Sequence, residues 1–162
     1  MSFKVGDRVV YPHHGAAVIE KKEKRKTPGA ESEEKEYLVL RMAHGELTLS
    51  VPSDNAETVG MRRPIAREDV EDLYQVLAKR DVREPSNWSR RFKNHQEKLK
   101  SGDVYQVAEV VRNLALRETS KGLSAGEKAM LVKARSVLVS ELSSALNVTE
   151  DEALEKLAEQ LT

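Results

Sequence analysis

The 162-residue chain contains no cysteine, so disulfides and thiolate-bound metals are excluded from the start. Long apolar runs are missing too. Nothing approaches the about 20 consecutive apolar residues that span a membrane. The amino-terminal MSFKVGDRVVYPHHG lacks the apolar stretch of a secretory signal. A cytoplasmic location is therefore expected. Common enzyme signatures are absent: no G-x-x-x-x-G-K-[ST], G-x-G-x-x-G, G-x-S-x-G or H-E-x-x-H occurs. The one His pair is His13-His14. Neighbours on a strand point to opposite faces, so these two do not easily share a metal. The carboxylates fall mostly on prospective helix faces and in one charged loop, where solvation or capping explains them. Neither catalysis nor a cofactor is expected.

An excess of either charge is also absent, with 27 Lys and Arg against 27 Asp and Glu. At first sight this argues against a polyanion partner. The zero is a cancellation, however. Residues 83–135 hold twelve cations against six carboxylates, a net +6, and residues 136–162 hold one against six, a net −5. Such asymmetry is a sign of a polyanion-binding segment followed by an acidic tail. The tail is either solvated helix surface or a shield over the basic segment.

What is present falls into two halves. Val5, Val9, Val10 and Tyr11 form a β-rich run with a turn at Gly6-Asp7, and Ala16–Ile19 resumes it after Pro12-His13-His14-Gly15. Residues 20–36 are highly charged around Pro28-Gly29 and read as a hairpin loop with mobile flanks. Tyr37–Met42 reads as a buried strand. Residues 46–51 alternate, with Leu47, Leu49 and Val51 directed inward. A small barrel or curled sheet is expected, with an exposed edge able to pair with a partner strand.

After Pro64 the period becomes helical, beginning with the stripe Val70, Leu73, Tyr74 and Leu77. A basic helix is expected from about Asn87 to Leu99 and is stopped by Gly102. Asp103 with Gln106, Ser124 with Glu127, and Thr149 with Glu152 resemble capping boxes. They open helices with core stripes Val104–Ala115, Met130–Leu142 and Leu154–Leu161. Gly122 is placed to end one of them. The fold class is α+β: a small β domain over 1–62, then a bundle of four to five short helices over 63–162.

The segment REPSNWSRRFK, residues 83–93, holds the only Trp and opens the basic block. On a helical wheel Trp88 shares a stripe with Phe92, His95 and Leu99, which makes it a core residue. A second reading stays open. Helical side chains lean toward the N-terminus, so a Trp in the first turn overhangs the helix end with no turn before it. The free N–H groups there, with Arg90, Arg91 and Lys93, favour phosphates. A wedge of this kind suits a nucleic-acid backbone with a base step beside it.

Taken in order, FKVGDRVVYPHHGAAVIE, EYLVLRM, ELTLSVP, REPSNWSRRF, LKSGDVYQVAEVVRNL and KGLSAGEKAMLVKAR resemble the CarD family of bacterial RNA-polymerase-binding transcription regulators. The resemblance implies a Tudor-like, SH3-like β domain that docks on the RNA polymerase β subunit through a sheet edge. It implies a helical domain that meets promoter DNA without sequence specificity at the upstream edge of the bubble. There a Trp wedges into the minor groove and stabilises the open complex made with the housekeeping sigma factor. On this chain the wedge falls on Trp88 and its basic companions on Arg90, Arg91 and Lys93. Docking falls on Arg25. A second docking cation of the family falls at Ser50, which makes no ion pair, so Lys24 or Arg41 is expected to share the load. A monomer bound to the nucleoid only through polymerase is implied. The alternative is a polymerase-bound adaptor whose bundle recruits another protein, with Trp88 in the core.

Overall fold

A computed structural model describes residues 3–11, 14–26, 34–42, 47–56 and 60–161. Four strands come first: β1 Arg8–Tyr11, β2 Gly15–Lys26, β3 Glu34–Met42 and β4 Thr48–Pro52. Five helices follow: α1 Val70–Ala78, α2 Trp88–Lys100, α3 Val104–Ser120, α4 Ala125–Leu146 and α5 Glu150–Leu161. The fold is thus α+β, an antiparallel sheet in the order β1-β2-β3-β4 followed by a helical layer.

The sheet has two differently used faces. Ala17, Ile19, Leu38, Leu40 and Val51 alternate onto one of them and bury against Phe3, Ala56 and Met61. Val10 and Ala16, paired across β1 and β2, are buried on the other, where Ala16 N–H donates to Ser140 Oγ of α4 at 3.0 Å. Gly15 makes this approach possible. Its φ is +84°, and a Cβ there would stand 2.5 Å from Ser140 Oγ and 3.4 Å from Val137 Cα.

Several expectations are corrected here. The charged residues up to Lys26 and from Glu34 are strand, not loop, and carry the β2–β3 ribbon beyond the apolar core. Backbone pairing and the cross-strand ion pair Lys22–Glu36 hold it where no apolar face exists. Pro28-Gly29, Pro12, His13 and Glu46 lie outside the described residues. His14 is exposed and tilts against Tyr11 at 5.4 Å. Val5 is exposed in the turn before β1. Leu47 is also exposed, because β4 pairs Leu40 with Leu49, leaving Leu47 beyond the rim of the core. The outer edge of β1 is covered: Val10 and Arg62 exchange backbone hydrogen bonds. Among the described residues the outer edge of β4 has no strand partner.

The helices follow from their caps and stripes. Asn87, Asp103, Ser124 and Thr149 side chains each accept an N–H of the turn they open. Ser124 with Glu127 forms a full capping box. At Asp103, Gln106 reaches only the carboxylate, at 3.5 Å, so that cap is Asp103 alone. Leu73, Leu77, Val107, Val111, Leu114, Leu138 and Leu142 build one core with Leu157 of α5. The acidic tail is therefore a packed helix. Glu150, Asp151 and Glu152 stand in its first turn, where the helix dipole favours them. Its apolar stripe is narrow: Leu157 is buried, Leu161 half-buried and Leu154 exposed.

Helix α4 joins the two layers. Its first turn meets α2, and its C-terminal half meets the sheet. There Glu141, fully buried, takes a bidentate pair from Arg62 (2.8 Å to each oxygen) and the Ile65 N–H (2.9 Å). Arg8 donates to the Ser144 carbonyl at 3.1 Å.

Candidate nucleic-acid interface

The wheel that places Trp88, Phe92, His95 and Leu99 on one stripe describes α2 correctly, yet burial changes along it. His95 and Leu99 are buried, Phe92 is half-buried, and Trp88 is 45% exposed. The cause is position. Trp88 is the first residue of α2, capped by Asn87, with no preceding turn to cover it. It is exposed but held. Its ring stacks on Phe92 at 4.8 Å and 23°, and its Nε1–H donates to Ser124 Oγ at 3.1 Å. Gly126 leaves room for the stack: a Cβ there would stand 3.2 Å from Phe92 Cε1 and 3.9 Å from Trp88 Cζ2. Sequence reasoning found Ser124 as a cap and missed its second role. It passed over Gly126, whose place inside a capping box was the only signal.

Arg90 and Lys93 are exposed and line a shallow depression with Asn87, Ser89, Asn94 and Glu97. Neither side chain has a carboxylate partner among the described residues. Arg91 is placed elsewhere, and this corrects its grouping with them. It is buried. Nε donates to Glu127 Oε2 at 3.2 Å, and Nη1 to the carbonyls of Pro85 and Ser86 at 3.3 Å each. Its charge is used to fold the 84–87 segment against α4. Burial alone would push the Glu127 carboxyl up. The Arg91 hydrogen bond and the Ser124 N–H and O–H outweigh it and hold the group below its ordinary value. Beside it His95 Nε2 meets Glu84 Oε1 at 2.7 Å. There too burial raises the carboxyl, but the His95 bond and the Arg91 charge bring it down. A buried ion pair, Arg91–Glu127, and a partly buried His95–Glu84 hydrogen bond thus underlie the exposed indole.

At the far end, β3 register puts Arg41 opposite Thr48 and Val39 opposite Ser50, so Arg41 and Ser50 are diagonal neighbours on one face. Arg25 shares that face, with its guanidinium 5.6 Å over the Tyr37 ring and hydrogen-bonded to Glu23. Lys24, paired with Glu36, points to the other face. Arg25, Arg41 and Ser50 therefore share a face and Lys24 does not, but Arg25, opposite Lys35, stands about 20 Å along the ribbon from Arg41. Lys21, opposite Val39 after a bulge at Glu20, joins the first three. The bulge shifts the alternation, which hides Lys21 from a pattern count.

Comparison with known proteins adds the decisive observation. Residues 3–65 match the CarD-like/TRCF RID domain, and residues 72–158 match the CarD C-terminal domain. The chain belongs to the CarD family. It is 31% identical over 148 residues to "Putative transcription factor YdeB" of Bacillus subtilis, covering 91% of this chain and 95% of that relative. In this CarD family member the sheet core and the bridge to Arg62 lie in the first match, and Trp88 with its supports lies in the second. Among the described residues no helix is long and apolar enough to cross a membrane, and no three metal-binding side chains cluster.

Proposed function

We propose that the chain is a non-enzymatic transcription regulator that docks on RNA polymerase and stabilises the open promoter complex. The observation that carries this reading is the half-exposed Trp88, gripped by Phe92 and Ser124 and flanked by Arg90 and Lys93. In this mechanism the sheet engages the polymerase β subunit through the Arg25, Arg41 and Ser50 face and the open β4 edge. The bundle lays Trp88 into the minor groove at the upstream edge of the bubble formed with the housekeeping sigma factor. Unstacking a base step costs a few kcal/mol, and stacking on an aromatic ring returns about 1–3 kcal/mol. A net gain of about 1.4 kcal/mol in the open state alone shifts opening tenfold. Tethering by polymerase raises the local concentration, so the DNA contact need be neither tight nor sequence-specific.

The adaptor reading required a core Trp88, and the 45% exposure of that side chain favours the wedge. The test is open-complex lifetime on a short-lived promoter with polymerase holoenzyme. Wild-type protein is expected to lengthen it, and Trp88→Ala, folded as judged by circular dichroism, to lose most of that effect. Equal lifetimes with both proteins would refute the wedge.

A further inference from the structure

A second depression, distinct from the one lined by Arg90 and Lys93, lies against the segment that leads into α2. This groove, of about 450 Å³, runs between residues 82–86 and the C-terminal end of α3. One wall leads through Ser86 and Asn87 into Trp88. The other leads through Lys121 and Gly122 to Ser124, which holds the indole. Three cations line it: Arg83 on the first wall, Arg117 and Lys121 on the second. The sole carboxylate of the lining, Glu84, is engaged by His95 at 2.7 Å.

Cations at a helix C-terminus can simply complement the helix dipole. Three facts go beyond that explanation. Arg83 lies on no helix. In the last turn of α3 the Arg117 carbonyl already accepts from the Lys121 and Gly122 N–H groups. Arg117 Nε is buried without an acceptor, 3.9 Å from Glu127 Oε2, which is committed to Arg91. Arg83 and Lys121 have no ion-pair partner among the described residues. Unpaired cations gathered in a groove concentrate where a polyanion neutralises them.

We infer that this groove is a phosphate-binding shelf for the second strand, so that Trp88 enters between two backbones, one on Arg90 and Lys93 and the other on Arg83 and Lys121. The inference rests on the nucleic-acid reading above and assigns it two further contact residues. Arg117 lies deeper and positions the shelf.

The test uses the full chain and a fluorescent fork-junction DNA, with affinity measured by anisotropy across a salt series. Each neutralised phosphate contributes about 0.9 to the slope of log affinity against log salt. The double variant Arg83→Gln/Lys121→Gln, both at exposed positions, is expected to lower the slope by about 1.8. Arg90→Gln/Lys93→Gln is expected to do the same, and Trp88→Ala to weaken binding with the slope unchanged. If the Arg90/Lys93 variant loses slope and the Arg83/Lys121 variant does not, the shelf is overturned while the wedge stands. If neither loses slope and Trp88→Ala binds normally, the shelf and the nucleic-acid reading both fall.

Discussion

Arg91→Met is expected to destabilise the fold, although Arg91 sits in the middle of a basic motif. The substitution keeps the aliphatic stem and removes the guanidinium. Pro85 and Ser86 carbonyls lose a donor, and Glu127 Oε2 loses its hydrogen-bond partner. Oε1 keeps the Ser124 N–H at 3.3 Å and O–H at 3.1 Å. Breaking one side of a buried ion pair costs about 3–5 kcal/mol. Arg117 Nε, 3.9 Å from the orphaned oxygen, can close in, which sets the expected loss near the lower end, about 3 kcal/mol. For a chain of this size each kcal/mol lowers Tm by about 2–4 °C, so a fall of about 6–12 °C is expected. The assay is scanning calorimetry at pH 7 on Arg91→Met, Arg90→Met and Arg91→Met/Glu127→Gln. Arg90→Met, at an exposed position, should shift stability by no more than about 0.5 kcal/mol. In the double variant both charges are gone and Gln can still close the capping box. At least half of the lost Tm should return. Wild-type melting of Arg91→Met, or a double variant no better than the single, would refute the argument.

Acid should act through the same pair. Glu84 and Glu127 both lie below the ordinary 4.5, so their contribution is full above that value and is lost as pH falls through the lowered native one. Tm is expected to hold from pH 7 to about 5 and then drop, with a shallower drop in Glu127→Gln; an identical acid limb in that variant would count against the pair. At the sheet–helix contact, Gly15→Ala combines a left-handed residue, about 1–2 kcal/mol, with a clash on Ser140 Oγ. Urea unfolding should show a loss of about 2–3 kcal/mol, and a smaller one when Gly15→Ala is made in a Ser140→Ala background, where the clash is gone and the Ala16 N–H has already lost its acceptor. An equal cost of Gly15→Ala with and without Ser140→Ala would show that the contact is not the cause.

Much of this architecture was legible in the chain because it depends on near neighbours. Ser124 and Thr149 each declare a helix start through a glutamate three positions on. The stripes through Leu73, Val111 and Leu138 repeat at helical spacing. What stayed hidden is long-range. Arg62 and Glu141 are 79 residues apart, Arg91 and Glu127 36 apart, and no period links either pair. Arg91 could not be told from Arg90 by composition, since only the α2–α4 packing gives them different neighbours. The exposure of Trp88 was accessible in principle, from its place in the first turn. The wheel concealed it, because a wheel carries angle and no axial position. The β2–β3 ribbon was lost for a different reason: its strands bury little, so no apolar signal marks them.

The continuity of α4 has a last consequence. Gly126 beside the indole and Ser140 under the sheet are fourteen residues apart on one uninterrupted helix, an axial separation of about 21 Å. One inserted residue between them would lengthen this by about 1.5 Å and turn one end about 100° relative to the other. The helix is therefore a ruler with a phase. Whatever grips the strands, the distance and azimuth at which the aromatic tip arrives are set by a count of amino acids between Gly126 and Ser140.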